Sequence, residues 1–189
     1  GHDPSTLAND KTLSVNSLLT QRLAEVIHKY DTTRPVTAGC NEPKPTNHLF
    51  KSGAIDLIGF NYHDQNVKDF KKNFPGKPFL FTESVSALQS RGYYTMPSDS
   101  VILSPSRWDR PWNDPSYQCS SYDNQHAPWG TSHEHSLDVV KHTPFCSGQF
   151  LWTGYDYIGE PTPYGYPSRS SYFGVIDLAG FPKDAYWLY

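Results

Sequence analysis

Cysteine, net charge and long apolar runs are all scarce in this chain, and each scarcity narrows what it can be. The three cysteines, Cys40, Cys119 and Cys146, are odd in number and show no C-x-x-C spacing. They can close at most one disulfide, so a disulfide framework is excluded and buried free thiols are expected. Formal net charge is only −3, and the 16 lysines and arginines are scattered. A nucleic-acid surface needs a basic cluster, and none is present. No apolar run approaches the length of a membrane span. The opening Gly1-His-Asp-Pro-Ser5 is polar and without an initiator methionine. No signal peptide is read there, and a piece cut from something longer is expected. Repeats and low-complexity linkers are also missing, so residues 1–189 are taken as part of one domain with no internal boundary.

Aromatic side chains, in contrast, are plentiful: 13 Tyr, 10 Phe and 5 Trp make up 15% of the chain. Such a load suits a carbohydrate site, where rings stack on the apolar faces of sugars, although most of these rings must serve as core. Val15, Leu18, Leu19, Leu23, Val26, Ile27 and Tyr30 recur at i, i+3/i+4 and predict one amphipathic helix over residues 14–30. Pro35 cannot continue it. Strands are predicted at 36–40, 55–62, 79–86 and 144–152, with helical stretches near 67–74 and 133–141. Between Ser84 and Gly130 lies a long irregular segment rich in Pro, Ser, Asp, Trp and Tyr. Loops of that length in compact domains are usually functional or disordered, and the aromatic content favours an ordered active-site loop. Strands that alternate with helices or long loops indicate βα units and a parallel sheet, so the fold class is α/β.

The most informative stretch is Phe79-Leu-Phe-Thr-Glu-Ser-Val-Ser86, an apolar, β-prone run that leads into Glu83. It reads as a buried strand with a carboxylate at its carboxyl end, which is the end where (β/α)-barrels gather their chemistry. A glutamate there suits a glycosidase nucleophile, one half of the carboxylate pair that cleaves a glycosidic bond.

The strand ends together resemble glycoside hydrolase family 2, especially bacterial β-galactosidases. The matching pieces are Asp31-Thr-Thr-Arg-Pro-Val-Thr-Ala-Gly39, Asp56-Leu-Ile-Gly-Phe-Asn-Tyr-His63, Phe81-Thr-Glu-Ser-Val-Ser-Ala87 and Pro128-Trp-Gly-Thr-Ser-His-Glu-His135. Ser147-Gly-Gln-Phe-Leu-Trp-Thr-Gly-Tyr-Asp-Tyr-Ile-Gly-Glu-Pro-Thr-Pro163 and Ser171-Tyr-Phe-Gly-Val-Ile-Asp-Leu-Ala-Gly-Phe-Pro-Lys-Asp184 follow in order. The resemblance implies the carboxyl half of a (β/α)8 TIM barrel, strands five to eight, with helices and a long active-site loop. It implies that Glu83 is the nucleophile and that the Tyr62 phenol orients it. Trp152 becomes an aromatic wall against the sugar, and Asn61, His63 and Asp156 become substrate-binding candidates. The implied activity is retaining hydrolysis of terminal β-galactosyl residues, with a β-galactoside or related oligosaccharide as partner. That chemistry requires no cofactor. Galactosidases of this family often bind Mg2+ or Na+, but no ligand for either is assigned here. The implied setting is bacterial, periplasmic or extracellular.

Asn41-Glu42-Pro43 is the tempting second carboxylate, since Asn-Glu carries the acid/base in related barrels. Only one strand lies between Glu42 and Glu83, however, where the family places two. The acid/base is therefore expected upstream of Gly1, which leaves the isolated chain inactive and Glu42 a loop residue. Half a barrel also leaves open strand edges, which invite self-association unless the long loop masks them.

Three other readings compete. His133-Glu-His135, with His126 and His142, hints at zinc, but residues two apart do not share a helix face and no H-E-x-x-H pair exists. A non-catalytic carbohydrate-binding module could use Tyr93, Tyr94, Trp108, Trp112, Tyr117, Tyr122 and Trp129 as a stacking surface. A β-glucuronidase or β-mannosidase would share the barrel, but the Asn-x-Lys pair of glucuronidases is not evident, and Lys183 reads as structural.

Overall fold

The computed structural model describes residues 13–105, 107, 109–110 and 119–189. The chain divides into two compact units, Gly1–Glu83 with Thr143–Gln149, and Ser84–His142 with Phe150–Tyr189.

The first unit is built on a sheet. Strand β1 (Thr37–Ala38) pairs in parallel with β2 (Leu57–Asn61), and β2 in parallel with β3 (Phe79–Val85). With β6 (Cys146–Trp152) the order is β1-β2-β3-β6. All four strands expected from the sequence are therefore present and share one sheet. Alternation along each strand divides their side chains between two faces. Ile58 and Phe60 of β2 and Phe79 and Phe81 of β3 are buried. The Phe60 ring meets Phe70, Phe74 and Phe79 edge-on at 4.9–5.9 Å, and Phe145 stacks on Phe70 at 5.5 Å. Such pairs add about 0.5–1.5 kcal/mol each beyond the area they bury. Phe70 and Phe74 come from α3 (Phe70–Asn73) and its C-cap, which follow a 3-10 turn at Asp64–Asp69.

Helix α1 (Val15–Tyr30) starts at Ser14, whose hydroxyl accepts from Ser17 N at 3.0 Å. The helix forms where its apolar period predicts, yet it buries the opposite face. Ser17, Thr20 and Ala24 are buried, whereas Val15, Leu18, Leu19, Leu23, Val26, Ile27 and Tyr30 are 40–81% exposed. Hydrogen bonds explain the polar contact. Ser17 Oγ donates to His48 O at 2.9 Å and Gln21 Nε2 to Ser52 O at 2.7 Å, fastening α1 to α2 (His48–Lys51) and its C-cap.

In the second unit, α4 (His133–Lys141) is capped twice. Ser132 Oγ accepts from His135 N, and the Asp123 carboxylate accepts from His133 N and Glu134 N at 2.9 and 2.8 Å. A carboxylate suits the positive end of a helix. Leu88, Cys119, Ala127 and Phe173 form the core, with Trp129, Tyr157, Tyr164 and Tyr172 packed against it. The segment expected to be irregular contributes a short parallel pair, β4 (Ile102–Leu103) and β5 (Gln125–His126). A last helix, α5 (Asp184–Leu188), follows. All three cysteines are free, with Cys40 and Cys119 buried and Cys146 half-buried. Burial pushes the Cys119 thiol up to about 12, which makes it inert. Among the described residues no helix is long and apolar enough to cross a membrane.

Candidate active site

Two parallel strands bring the central pair together. Tyr62 directly follows β2 and Glu83 lies near the end of β3. The Tyr62 hydroxyl donates to Glu83 Oε1 at 2.5 Å, and Tyr62 N donates to Glu83 O at 2.7 Å. Side-chain and backbone bonds thus join the same two residues, so the carboxylate is oriented from one fixed neighbour.

A register shift creates this arrangement. Phe60 faces Phe81, but the next residue, Asn61, faces Glu83, so Thr82 bulges out of the ladder. A bulge re-aims the side chains around it. Thr82 Oγ1 donates to Asn61 Oδ1 at 2.8 Å, and Asn61 N donates to Cys40 O at 3.0 Å. Two glycines make room. A Cβ on Gly39 would stand 2.7 Å from Asn61 Oδ1, and one on Gly59 would stand 2.5 Å from Thr82 Cγ2. The role of Thr82 escapes sequence reading, although glycines inside short strand patterns do signal such close approaches.

The backbone turns sharply just past β2 and at the last residue of β3. Tyr62 and His63 have φ of 59° and 57°, and Val85 and Ser86 have φ of 78° and 52°. Non-glycine residues rarely enter this left-handed region, and a β-branched valine there is strained. Strain of that kind tends to gather at functional sites. His63, half-buried, has its Nδ1 3.2 Å from Gln65 Nε2.

Glu42 takes a different partner. Its Oε2 accepts from Asn47 Nδ2 at 3.1 Å, in the loop between β1 and α2.

The remaining candidates lie in the second unit. Trp152 is 36% exposed, and its indole Nε1 donates to the Tyr157 hydroxyl at 3.1 Å. Asp156 is only 6% exposed and Lys183 only 1%. Lys183 Nζ reaches both Asp156 oxygens at 2.8–2.9 Å, and Asp156 Oδ1 also accepts from Gly174 N at 2.8 Å. The structure thus sets Asp156 inside a buried ion pair rather than facing solvent. Burial pushes the Asp156 carboxyl up and the Lys183 ammonium down, and their mutual attraction opposes both shifts.

The histidines considered for zinc have separate surroundings. His133 is buried with Nδ1 3.0 Å from the Tyr189 hydroxyl, His126 Nδ1 lies 2.7 Å from Ala127 O, and His142 pairs with Asp138. Among the loop aromatics, Trp129 Nε1 donates to Ser86 Oγ at 3.2 Å, and Tyr94 packs edge-on to Tyr122. Trp108, Trp112 and Tyr117 lie outside the described residues.

Comparison with known proteins follows the same lines. The chain is 58% identical over all 189 residues to the β-galactosidase BoGH2A of Bacteroides ovatus, covering 22% of that protein. It is 31% identical over 183 residues to a putative β-glucuronidase of Formosa agariphila, covering 16% of it. No protein-family model matches. Among solved structures, a β-glycosidase from Bacteroides vulgatus superposes on 90% of the chain with a TM-score of 0.70 at 28% identity, over 23% of its own length. A putative β-galactosidase from Bacteroides fragilis shares the fold at a TM-score of 0.64 and 17% identity. The chain thus spans about a fifth of the curated relatives it matches, and over that span it belongs to glycoside hydrolase family 2.

Proposed function

We propose that this chain carries the nucleophile half of a retaining β-glycoside hydrolase, most closely a β-galactosidase, and that Glu83 is the nucleophile. The observation that carries the reading is the 2.5 Å bond from the Tyr62 phenol to Glu83 Oε1, set by adjacent parallel strands. A phenol donating to a carboxylate fixes the direction in which that carboxylate can act. In a retaining mechanism that carboxylate attacks the anomeric carbon while a second carboxyl group about 5–5.5 Å away protonates the leaving oxygen. Water then releases the sugar, with the second group acting as base. Trp152 serves as a wall for the sugar ring, and Asn61 and His63 lie beside the nucleophile at the strand ends. The buried Asp156 has no part in sugar contact on this reading.

The acid/base comes from outside these residues, because only β2 stands between Glu42 and the strand of Glu83, where the family resemblance calls for two strands. The four-stranded sheet is then the second half of a (β/α)8 barrel. Its two edge strands and the exposed face of α1 are surfaces the rest of the barrel covers, and in the isolated chain they self-associate. The 58% identity across the chain to a protein named β-galactosidase supports galactosides over uronides as substrates.

Release of nitrophenol from nitrophenyl β-galactoside tests the reading. The measurement compares the 189-residue chain with an extended protein, the same chain joined to the flanking sequence needed to reach its relatives' length. Turnover is expected only in the extended protein. Turnover in the short chain would make Glu42 the leading acid, and turnover of nitrophenyl β-glucuronide alone would overturn the galactoside assignment.

A further inference from the structure

We propose that Lys183 is a positioning residue for the sugar-facing wall, acting through Asp156 on the Trp152–Tyr157 aromatic pair. The inference rests on Trp152 contacting the sugar, as proposed above, and all the residues it uses lie in the second unit.

Asp156 sits between Trp152 and Tyr157 in the chain, so whatever fixes it fixes the short segment that joins the two rings. That segment is tied along its length. Thr153 N donates to Phe173 O at 3.1 Å, Asp156 N to Ile176 O at 2.9 Å, and Tyr157 N to Ser171 Oγ at 3.0 Å. The two backbones come so close that a Cβ on Gly174 would stand 2.1 Å from Asp156 N. Asp156 Oδ1 accepts from Gly174 N, and Lys183 Nζ closes the cluster with a bond to Tyr172 O at 3.2 Å. At the far end of the segment the Tyr157 hydroxyl receives the Trp152 indole N–H, with the rings nearly perpendicular at 80° and their centres 6.1 Å apart.

The fold could close this core with apolar groups, and such replacements for a buried ion pair are often no less stable. A charged pair adds a directional constraint, because it has one satisfied geometry and a high cost elsewhere. Here that geometry sets the backbone between the rings, and Trp152 itself is left partly exposed with its indole N–H bonded to Tyr157.

The test uses the extended protein with 5-fluorotryptophan in place of its tryptophans, the Trp152 signal being assigned with Trp152→Phe. Lys183→Met alone strands a buried carboxylate and tests folding rather than positioning. The double variant Asp156→Asn/Lys183→Met removes both charges and retains an acceptor for Gly174 N. Tyr157→Phe removes only the bond to the indole.

In both variants the fluorine signal of Trp152 is expected to shift or broaden while the other tryptophan signals stay in place. KM for nitrophenyl β-galactoside is expected to rise about tenfold with kcat within about threefold, the mark of lost binding shared by ground and transition states. An unmoved Trp152 signal, or an unmoved KM in a folded double variant, overturns the inference and leaves Lys183 purely structural. If the unsubstituted extended protein turns over no glycoside, the proposed function falls, and the fluorine signal alone still decides whether Lys183 positions Trp152.

Discussion

A carboxylate oxygen that accepts a hydrogen bond from a phenol at 2.5 Å has its direction fixed by that neighbour, which is what an attacking group needs. Removing the charge while keeping the shape separates chemistry from packing. Glu83→Gln in the extended protein is expected to lower kcat by at least about 10^3-fold with little change in thermal midpoint. Tyr62→Phe keeps the ring and loses one bond to a charged acceptor, about 1.5–3 kcal/mol. The expected fall in kcat/KM is therefore about 10- to 100-fold, read from initial rates. A different residue governs acid stability. Burial lowers the pKa of His133 to about 3, so the folded chain keeps it neutral. Its unfolded value is about 6.5, and the unfolded state therefore binds the extra proton below that pH. The associated stability is present above about pH 6.5 and is lost as pH falls from there toward 3. Thermal midpoints measured from pH 7 to 5 should drop, and the drop should shrink in His133→Gln. The shift at Asp123, whose carboxyl burial raises, works in the opposite sense near its ordinary range. The strand that carries Glu83 was legible in the sequence because it is an apolar run. The bulge at Thr82, which bonds to Asn61, was not, because one extra residue leaves no mark on composition or period.

Elements show why some structure is readable and some is not. The four strands of the main sheet are apolar, β-prone runs bounded by turn residues, and such runs declare themselves. Strands β4 and β5 have two residues each, as β1 does, but they lie inside a long segment rich in Pro and Ser rather than in a β-prone run such as residues 36–40. Helix α1 declares its period, but a period does not say which face is buried, and here Ser17 and Gln21 dock on α2 by hydrogen bonds. Both β2 and β3 end in consecutive left-handed residues, a feature only coordinates reveal. His63 is half-buried in that group, and His63→Gly relieves an unfavourable φ worth about 1 kcal/mol. In calorimetry of the 189-residue chain the midpoint should rise by about 2–4 °C. Activity of the extended protein should nevertheless fall if the imidazole meets the sugar. Gly174 carries the opposite expectation. A methyl group there would collide with the backbone of Tyr155 and Asp156, so Gly174→Ala should destabilise the chain by about 3 kcal/mol or more in urea titrations.

Across the whole molecule, the sheet ends in two edge strands, β1 and β6, and α1 turns seven large side chains outward. Apolar stripes of this kind mark interaction surfaces. The relatives are several times longer than this chain, which gives the stripe a natural cover within one polypeptide. Leu19→Lys and Leu23→Lys should leave the urea midpoint of the short chain unchanged or raised. In the extended protein each should cost about 2–5 kcal/mol, the range for a buried leucine lost from a core. Equal effects in both proteins would remove α1 from the covered surface. Attack of Glu83 on the sugar can be caught by trapping. The extended protein is treated with a 2-deoxy-2-fluoro-β-galactoside bearing a good leaving group, digested, and its peptides are weighed. One fluorogalactosyl group is expected on the peptide containing Glu83, and an adduct on any other carboxylate, Glu42 included, would show that Glu83 is not the nucleophile.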